Sequence, residues 1–125
     1  MEREALLLPI CEAAGGVPTS TFDGWEIVPG FIDGEHACTL IANGTEVHFY
    51  AVPSWRRRLV LRERTQAFLS PLLERFGFLT TRIHNDRWGN KQRRFVERVG
   101  FKPTWADNQF QYYMLGTLPF ARSES

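Results

Sequence analysis

Long apolar runs, cysteines and lysines are all scarce in this chain of 125 residues, and each scarcity excludes a class of protein. No apolar stretch approaches the roughly 20 residues that a membrane-spanning helix needs, so we expect no membrane segment. Two cysteines, Cys11 and Cys38, are too few for a disulfide-stapled scaffold, and we expect two reduced, buried thiols. The first residues lack the basic lead-in and the length of a signal peptide, so we do not expect secretion.

What the chain does contain is the material of an ordinary folded domain. Hydrophobic residues make up 43% of the sequence and charged residues 23%, which excludes intrinsic disorder. Ten Phe and four Trp supply large side chains for a core. Neither a repeat nor a linker divides the sequence, so we expect one domain over residues 1–125.

Charge is unevenly distributed along the chain. Residues 1–55 carry one basic residue against eight acids, whereas residues 56–102 carry thirteen basic residues against four acids. Only two of the fifteen cations are Lys, and Arg favours bidentate contacts with phosphate or carboxylate. This pattern indicates either a phosphate-bearing partner, a nucleotide or a nucleic acid, or two complementary halves that meet within the fold or across a homo-oligomer.

Apolar periodicity and turn residues predict nine elements in the order helix, three strands, helix, strand, helix, two strands. The turn signals are Asp33-Gly34 and Asn43-Gly44, and Gly77 and Gly100 are suited to end helices. The predicted elements are helix Glu2–Ala14, a strand over residues 25–32 broken at Pro29-Gly30, strands Ala37–Ala42 and Glu46–Val52, a helix from Leu61 that Pro71 interrupts, strand Phe78–Ile83, helix Lys91–Val99, and strands Phe101–Trp105 and Phe110–Leu115. This order predicts an α+β fold of three layers, with a mixed sheet of about six strands and helices on both faces.

From the third strand onward, the sequence resembles the GNAT superfamily of acetyl-CoA-dependent N-acetyltransferases. The resemblance is carried by Asn85 and Asn90 after a strand, by the helix-to-strand segment Phe95–Phe101, and by the stretch Val52–Arg56. A closer resemblance is to the small GNAT-like internal virion proteins of T7-like podophages. It rests on the early helix that ends at residues 12–15 and on Gln109-Phe110-Gln111 in the last strand.

The resemblance implies where coenzyme A is bound. The family binds the pyrophosphate of coenzyme A in a turn of pattern Arg/Gln-x-x-Gly-x-Gly/Ala. The small residues are needed because backbone N–H groups must approach the phosphates closely. The pattern places the leading residue at Arg56 and the two small residues at Leu59 and Leu61, where leucine side chains take up the space. The candidate cofactor-binding residues are Val52, Arg56, Arg57, Arg58, Leu59, Leu61 and Asn90.

Proton transfer is the second requirement of acetyl transfer. The resemblance places the family's general acid, a tyrosine, at Val96. A valine has no acidic proton to give to the departing thiolate. Glu46 and His48 lie on the same face of the third predicted strand, since side chains alternate along a strand. They are the candidate catalytic pair, as a base for the acceptor amine.

Other chemistries have weaker signals. His36, His48 and His84 lack the spacing of a zinc motif, so we expect no metal site. Arginines and aromatics predict a surface that could bind nucleic acid. Its residues are Trp55, Arg56, Arg57, Arg58, Arg82, Arg87, Trp88, Lys91, Arg93 and Arg94.

Together these features predict a GNAT-like phage protein without catalysis, with a structural or assembly role in the virion and no cofactor. Its partners are then other virion or tail proteins, and it is found in the virion or the host cytoplasm. The candidate contact residues are Trp55, Arg56, Arg57, Trp88 and Arg94. The alternative is an N-acetyltransferase that uses acetyl-CoA despite a degenerate pyrophosphate loop, and the third hypothesis is a nucleic-acid-binding accessory protein.

Overall fold

The computed structural model describes residues 2–56 and 62–116. The chain divides into two compact units, Met1–Arg57 and Arg58–Ser125. Within the described residues, three helices and six strands follow one another in the predicted order. They form the predicted α+β fold with a mixed six-stranded sheet. Within the two described ranges, no helix has the length and apolar character to cross a membrane.

The first unit is a helix followed by three antiparallel strands. Its elements are α1 (Arg3–Ala13), β1 (Glu26–Ile32), β2 (Glu35–Asn43) and β3 (Glu46–Ala51), with short 3₁₀ turns at Thr19–Phe22 and Pro53–Trp55. Strand β2 pairs with β1 on one side and β3 on the other. Both predicted hairpins form. Asp33 and Gly34 both have positive φ, as a two-residue type I′ turn requires, and Gly44 has a φ of 62°.

Strand β1 differs from the prediction because it runs through Pro29 and Gly30 without a break. Pro29 pairs with Thr39, and the register shifts between Gly30 and Phe31 as in a β-bulge. Proline is tolerated there because β1 is the last strand in the sheet order, where one side of the backbone needs no donor. The edge position therefore overrides the sequence signal for a break.

Helix α1 packs its buried side onto β2. Leu7, Ile10 and Cys11 form a cluster with Ile41, and partly buried Val17, Phe22, Trp25, Ile27 and Tyr50 surround it. Arg3 donates to the carbonyls of Phe22 and Trp25 at 2.7 and 2.9 Å and so ties the start of α1 to the following loop. Pro9 lies inside the helix, on its exposed side.

The second unit packs two helices on one side of three antiparallel strands. Its elements are α2 (Arg62–Phe76), β4 (Leu79–His84), α3 (Asn90–Val99), β5 (Lys102–Ala106) and β6 (Phe110–Leu115), with a 3₁₀ turn at Arg87–Gly89. Strand β6 lies between β4 and β5. Gly77 and Gly100 end the helices in the left-handed region, as predicted, with φ values of 81° and 124°.

The core of this unit is formed by the inner sides of α2 and α3 with alternate residues of the strands. Gln66 of α2 donates to the Val99 carbonyl of α3 at 2.7 Å. The buried core residues are Leu69, Leu72, Leu73, Leu79, Thr81, Val96, Val99, Phe101, Tyr113 and Leu115. This burial leaves the opposite face of the three strands to solvent.

Candidate functional site

The predicted acid–base pair is present on β3. His48 Nε2 and Glu46 Oε2 lie 2.8 Å apart, and the two side chains are 31% and 29% exposed. The indole ring of Trp25 lies 5.8 Å from the imidazole, centroid to centroid. A half-buried carboxylate that shares a hydrogen bond with an imidazole can accept a proton from a bound group. Strand alternation thus predicts correctly that the two side chains lie together, and their catalytic role stays a prediction.

The end of β3 holds two of the predicted cofactor residues. The Val52 N–H donates to the Ala37 carbonyl at 2.9 Å and so continues the pairing with β2. Arg56 Nε donates to the Ala51 carbonyl at 3.4 Å, and its guanidinium lies 6.0 Å from the centroid of the Tyr50 ring. Arg56 is exposed. Of these two residues, only Arg56 offers a group that a phosphate could reach.

The predicted pyrophosphate turn lies outside the described residues. Arg57, Arg58, Leu59 and Leu61 all fall between the two described ranges. The argument that two leucines replace the small residues of the family pattern therefore stays a prediction.

Asn90 has a structural role at the start of α3. Its Oδ1 accepts a hydrogen bond from Arg93, and the same guanidinium donates to the His84 carbonyl at the end of β4. At the next residue after His84, the Asn85 N–H donates to the Gln109 carbonyl at 2.7 Å. These contacts use the polar side chain of Asn90 to fix the connection from β4 to α3.

A buried valine occupies the position that the resemblance assigns to a catalytic tyrosine. Val96 is 9% exposed and packs in the core of the second unit. A buried tyrosine does lie nearby in this unit, on β6 instead of α3. Tyr113 donates its hydroxyl to Glu97 Oε2 at 2.8 Å. Burial, with the Glu97 carboxylate beside it, raises the pKa of Tyr113 to about 12, so this hydroxyl holds its proton tightly. The sequence does not predict this pair, because no local spacing connects a strand residue with a helix residue 16 positions away.

The predicted contact residues have different surroundings. Trp55 is 4% exposed and donates its indole N–H to Glu35 Oε2 at 3.0 Å. Its ring is thus a core group, which corrects the prediction that it contacts a partner. Trp88 is 74% exposed, with the Arg87 guanidinium 4.9 Å from its ring, and Arg94 is exposed. Trp88 and Arg94 are accessible to a partner.

Within residues 2–56 and 62–116, no three His, Cys, Asp or Glu side chains gather in a group that could hold a metal ion. Both cysteines are free and buried, as predicted.

Comparison with solved structures identifies the fold. The ribosomal-protein-S18-alanine N-acetyltransferase of Escherichia coli superposes with a TM-score of 0.63 and 14% identity, over 94% of this chain and 90% of that one. The Campylobacter jejuni N-acetyltransferase PseH, solved with acetyl coenzyme A, superposes with a TM-score of 0.61 and 12% identity, over 94% of each chain. A GNAT-family structure from Desulfovibrio desulfuricans superposes with a TM-score of 0.59 and 17% identity, over 86% of this chain and 75% of that one. The chain has the GNAT fold.

Sequence comparison gives no match, either to a family model or to a curated protein. The predicted GNAT resemblance is confirmed at the level of the fold. The finer resemblance to podophage virion proteins has no support in these comparisons and stays a prediction.

Proposed function

We propose that this protein is an acyl-CoA-dependent N-acyltransferase. The observation that carries the proposal is the Glu46–His48 pair, a proton acceptor on β3 of a GNAT fold. The structural neighbours named above include two N-acetyltransferases, and one was solved with acetyl coenzyme A. This support favours the enzymatic alternative over the non-catalytic hypothesis, and it makes acetyl-CoA the first donor to test.

The proposed reaction joins an acceptor amine to the acyl group. The amine nitrogen attacks the thioester carbonyl carbon, the C–N bond forms, and the C–S bond breaks. The proton that the amine loses passes to the Glu46 carboxylate, and His48 shares the resulting hydrogen bond. Val96 has no acidic proton, so this position gives no proton to the departing thiolate. Water protonates the thiolate instead. A general acid typically contributes about 10²–10⁴ in rate, so we expect slow turnover.

The charged contacts to the donor come mainly from arginine side chains in this proposal. The Val52 N–H and the Asn90 amide oxygen already have protein partners, which leaves the exposed Arg56 among the described candidates. Long, exposed side chains bind phosphate in a salt-dependent manner. We therefore expect the affinity for acetyl-CoA to fall as the salt concentration rises.

The test is release of free thiol from acetyl-CoA in the presence of primary amines and peptides with free α-amines. We expect Glu46→Gln to lower kcat/KM at least about 100-fold and His48→Gln to lower it less, since the carboxylate remains. Glu12→Gln, the same change at an exposed position on α1, serves as the matched control and should leave the rate unchanged. Absence of both thiol release and calorimetric binding of acetyl-CoA would contradict the proposal.

A second candidate is the predicted role in contact with virion proteins, without turnover. Two observations favour it, the missing proton donor at Val96 and the exposed Trp88 with Arg87 against its ring. Binding of acetyl-CoA without any acyl transfer, or no binding at all, would favour this candidate. Loss of particle assembly in a Trp88→Ala variant that still folds would support it directly.

A further inference from the structure

The second unit has a solvent-facing sheet surface that is rich in aromatic and cationic side chains. Residues directly opposite each other on neighbouring strands project to the same face. The pairs Arg82–Tyr112, His84–Phe110 and Trp105–Tyr112 therefore share one face of β4, β6 and β5. We call this surface the aromatic face and define it by Arg82, His84, Trp105, Phe110 and Tyr112.

The rings of the aromatic face touch one another in a continuous row. Trp105 and Tyr112 are stacked, with their centroids 4.4 Å apart and their planes at 4°. Phe110 follows at 6.1 Å from Tyr112, and His84 lies 4.9 Å from Phe110. The row thus crosses all three strands of the unit.

This surface is unlike the usual outer face of an antiparallel sheet, which carries polar residues when the other face packs on the core. Trp105 is 59% exposed and Met114 42%, although β6 buries Tyr113 and Leu115 on its inner side. Large apolar side chains that stay together on a surface mark an interaction site.

Positive charge accompanies the rings. The Arg82 guanidinium lies over the Phe110 ring, 4.8 Å from its centroid, and Lys102 pairs with Met114 at the far end of the face. Residues 62–116 as a whole carry ten basic residues and five acids. The acid at this surface, Asp107, accepts hydrogen bonds from two backbone N–H groups and from the Tyr112 hydroxyl, so its oxygens already have partners within the turn.

We infer that the aromatic face binds single-stranded nucleic acid. Bases stack on flat side chains regardless of sequence, and cations beside the rings attract the phosphates. Trp105 and Tyr112 cover one ring face of each other by stacking, and Trp105, which is 59% exposed, has its other face for an unpaired base. A duplex keeps its bases inside and offers this surface only phosphates. The inference concerns a site separate from Glu46 and His48 and goes beyond the acyltransferase proposal.

The test is fluorescence anisotropy with labelled thymidine and uridine dodecamers, each against the matching duplex. We expect both single strands to bind at least about tenfold more tightly than the duplexes, because one stacked base contributes that much or more. A preference for one sugar would identify the natural ligand as DNA or RNA. Equal binding of single strands and duplexes would overturn the inference.

Variants locate the site. We expect Trp105→Ala to weaken single-strand binding at least about tenfold and Trp105→Phe to preserve most of it, since a flat ring remains. Phe31→Ala is the matched control, because Phe31 is an exposed ring (48%) on β1 and is not part of the aromatic face. Arg82→Gln should reduce the slope of log affinity against log salt by about one phosphate contact. An equal loss in Phe31→Ala, or a dimer that Trp105→Ala dissociates while no oligonucleotide binds, would overturn the inference.

Discussion

Tyr113 of β6 and Glu97 of α3 are joined by a hydrogen bond of 2.8 Å, in which the buried phenol donates to the carboxylate. The tyrosine is 2% exposed whereas Glu97 is an exposed residue, so the bond lies at the boundary between the core and solvent. On the same helix, the Val99 carbonyl accepts from Gln66 of α2. The two bonds hold α3 to the sheet on one side and to α2 on the other.

The first prediction is that the protein loses stability between about pH 10 and pH 12. Burial and the neighbouring Glu97 raise the pKa of Tyr113 to about 12, whereas an unfolded tyrosine titrates near 10. Above pH 10 the unfolded chain therefore binds fewer protons than the folded one, and the free energy of unfolding falls with pH, at up to about 1.4 kcal/mol per unit. Urea titrations across this range measure the decline.

The matched variants separate Tyr113 from the other tyrosines. Tyr113→Phe should flatten the decline between pH 10 and 12, at a cost of about 0.5–1.5 kcal/mol at neutral pH for the lost hydrogen bond. Tyr112→Phe should remove a smaller part of the decline, because the hydrogen bond to Asp107 also raises the pKa of Tyr112. A decline that persists unchanged in Tyr113→Phe would contradict the assignment.

The second prediction concerns the turn between β5 and β6, which Asp107 organises. Its Oδ1 accepts from the N–H groups of Phe110 and Gln109 at 2.7 and 2.8 Å, and its Oδ2 accepts from the Tyr112 hydroxyl at 2.9 Å. These bonds lower the pKa of Asp107, those from Phe110 and Gln109 most. The stabilisation is therefore present above the ordinary aspartate pKa and is lost as the pH falls through the lowered value.

Thermal melts at neutral and acid pH measure this effect. At pH 7, Asp107→Ala should lower Tm more than Asp107→Asn, because the asparagine oxygen still accepts from the backbone. As the pH falls through the lowered pKa of Asp107, the difference in Tm between wild type and Asp107→Asn should narrow, because protonation removes the charge that only the aspartate carries. A difference in Tm between wild type and Asp107→Asn that does not depend on pH would show that the charge of Asp107 has no role.

The features that could be predicted from the sequence are local. Gly77 and Gly100 end their helices because glycine alone adopts positive φ without cost, and such a signal needs no knowledge of the remaining fold. The Glu46–His48 pair follows equally from strand alternation within three residues. The order of the elements and the GNAT resemblance were accessible for the same reason.

What could not be predicted depends on which strands become neighbours. Trp55 is adjacent to three arginines in sequence, which predicts a surface position, yet its ring is buried and its indole N–H donates to Glu35 at the start of β2. Trp105 and Tyr112 meet only because β5 and β6 pair in one register, which includes a shift between Pro103 and Trp105. Periodicity indicates the face of a strand but not its partners.

The third prediction is that neither cysteine reacts in the folded protein. Cys38 has no exposed surface, and burial raises its pKa to about 12, while Cys11 is 3% exposed. At pH 8 the thiolate fraction of Cys38 is then about a thousandfold below that of a free cysteine. A thiol reagent should label neither residue in buffer and both in denaturant. Rapid labelling of one thiol under native conditions would contradict the described burial.

The last prediction tests the packing at the junction of β4 and α3. Gly89 has ordinary backbone angles, with φ −90° and ψ 0°, so conformational freedom is not the reason for a glycine here. The reason is space, because a Cβ at this position would collide with the His84 carbonyl oxygen and would lie 2.9 Å from Arg93 Nη1. Arg93 could move aside, but the carbonyl belongs to the backbone of β4.

Gly89→Ala should therefore destabilise the protein by about 1–3 kcal/mol, the usual cost of inserting a group into a packed site. Gly116→Ala is the matched control, since a Cβ there meets no atom within 4 Å and the φ is not in the left-handed region. We expect the control to lie within about 0.5 kcal/mol of wild type. Urea midpoints of the two variants measure the difference. Equal midpoints would mean that the β4–α3 junction yields to a methyl group, and that the contacts of Arg93 with Asn90 and His84 do not hold it rigidly.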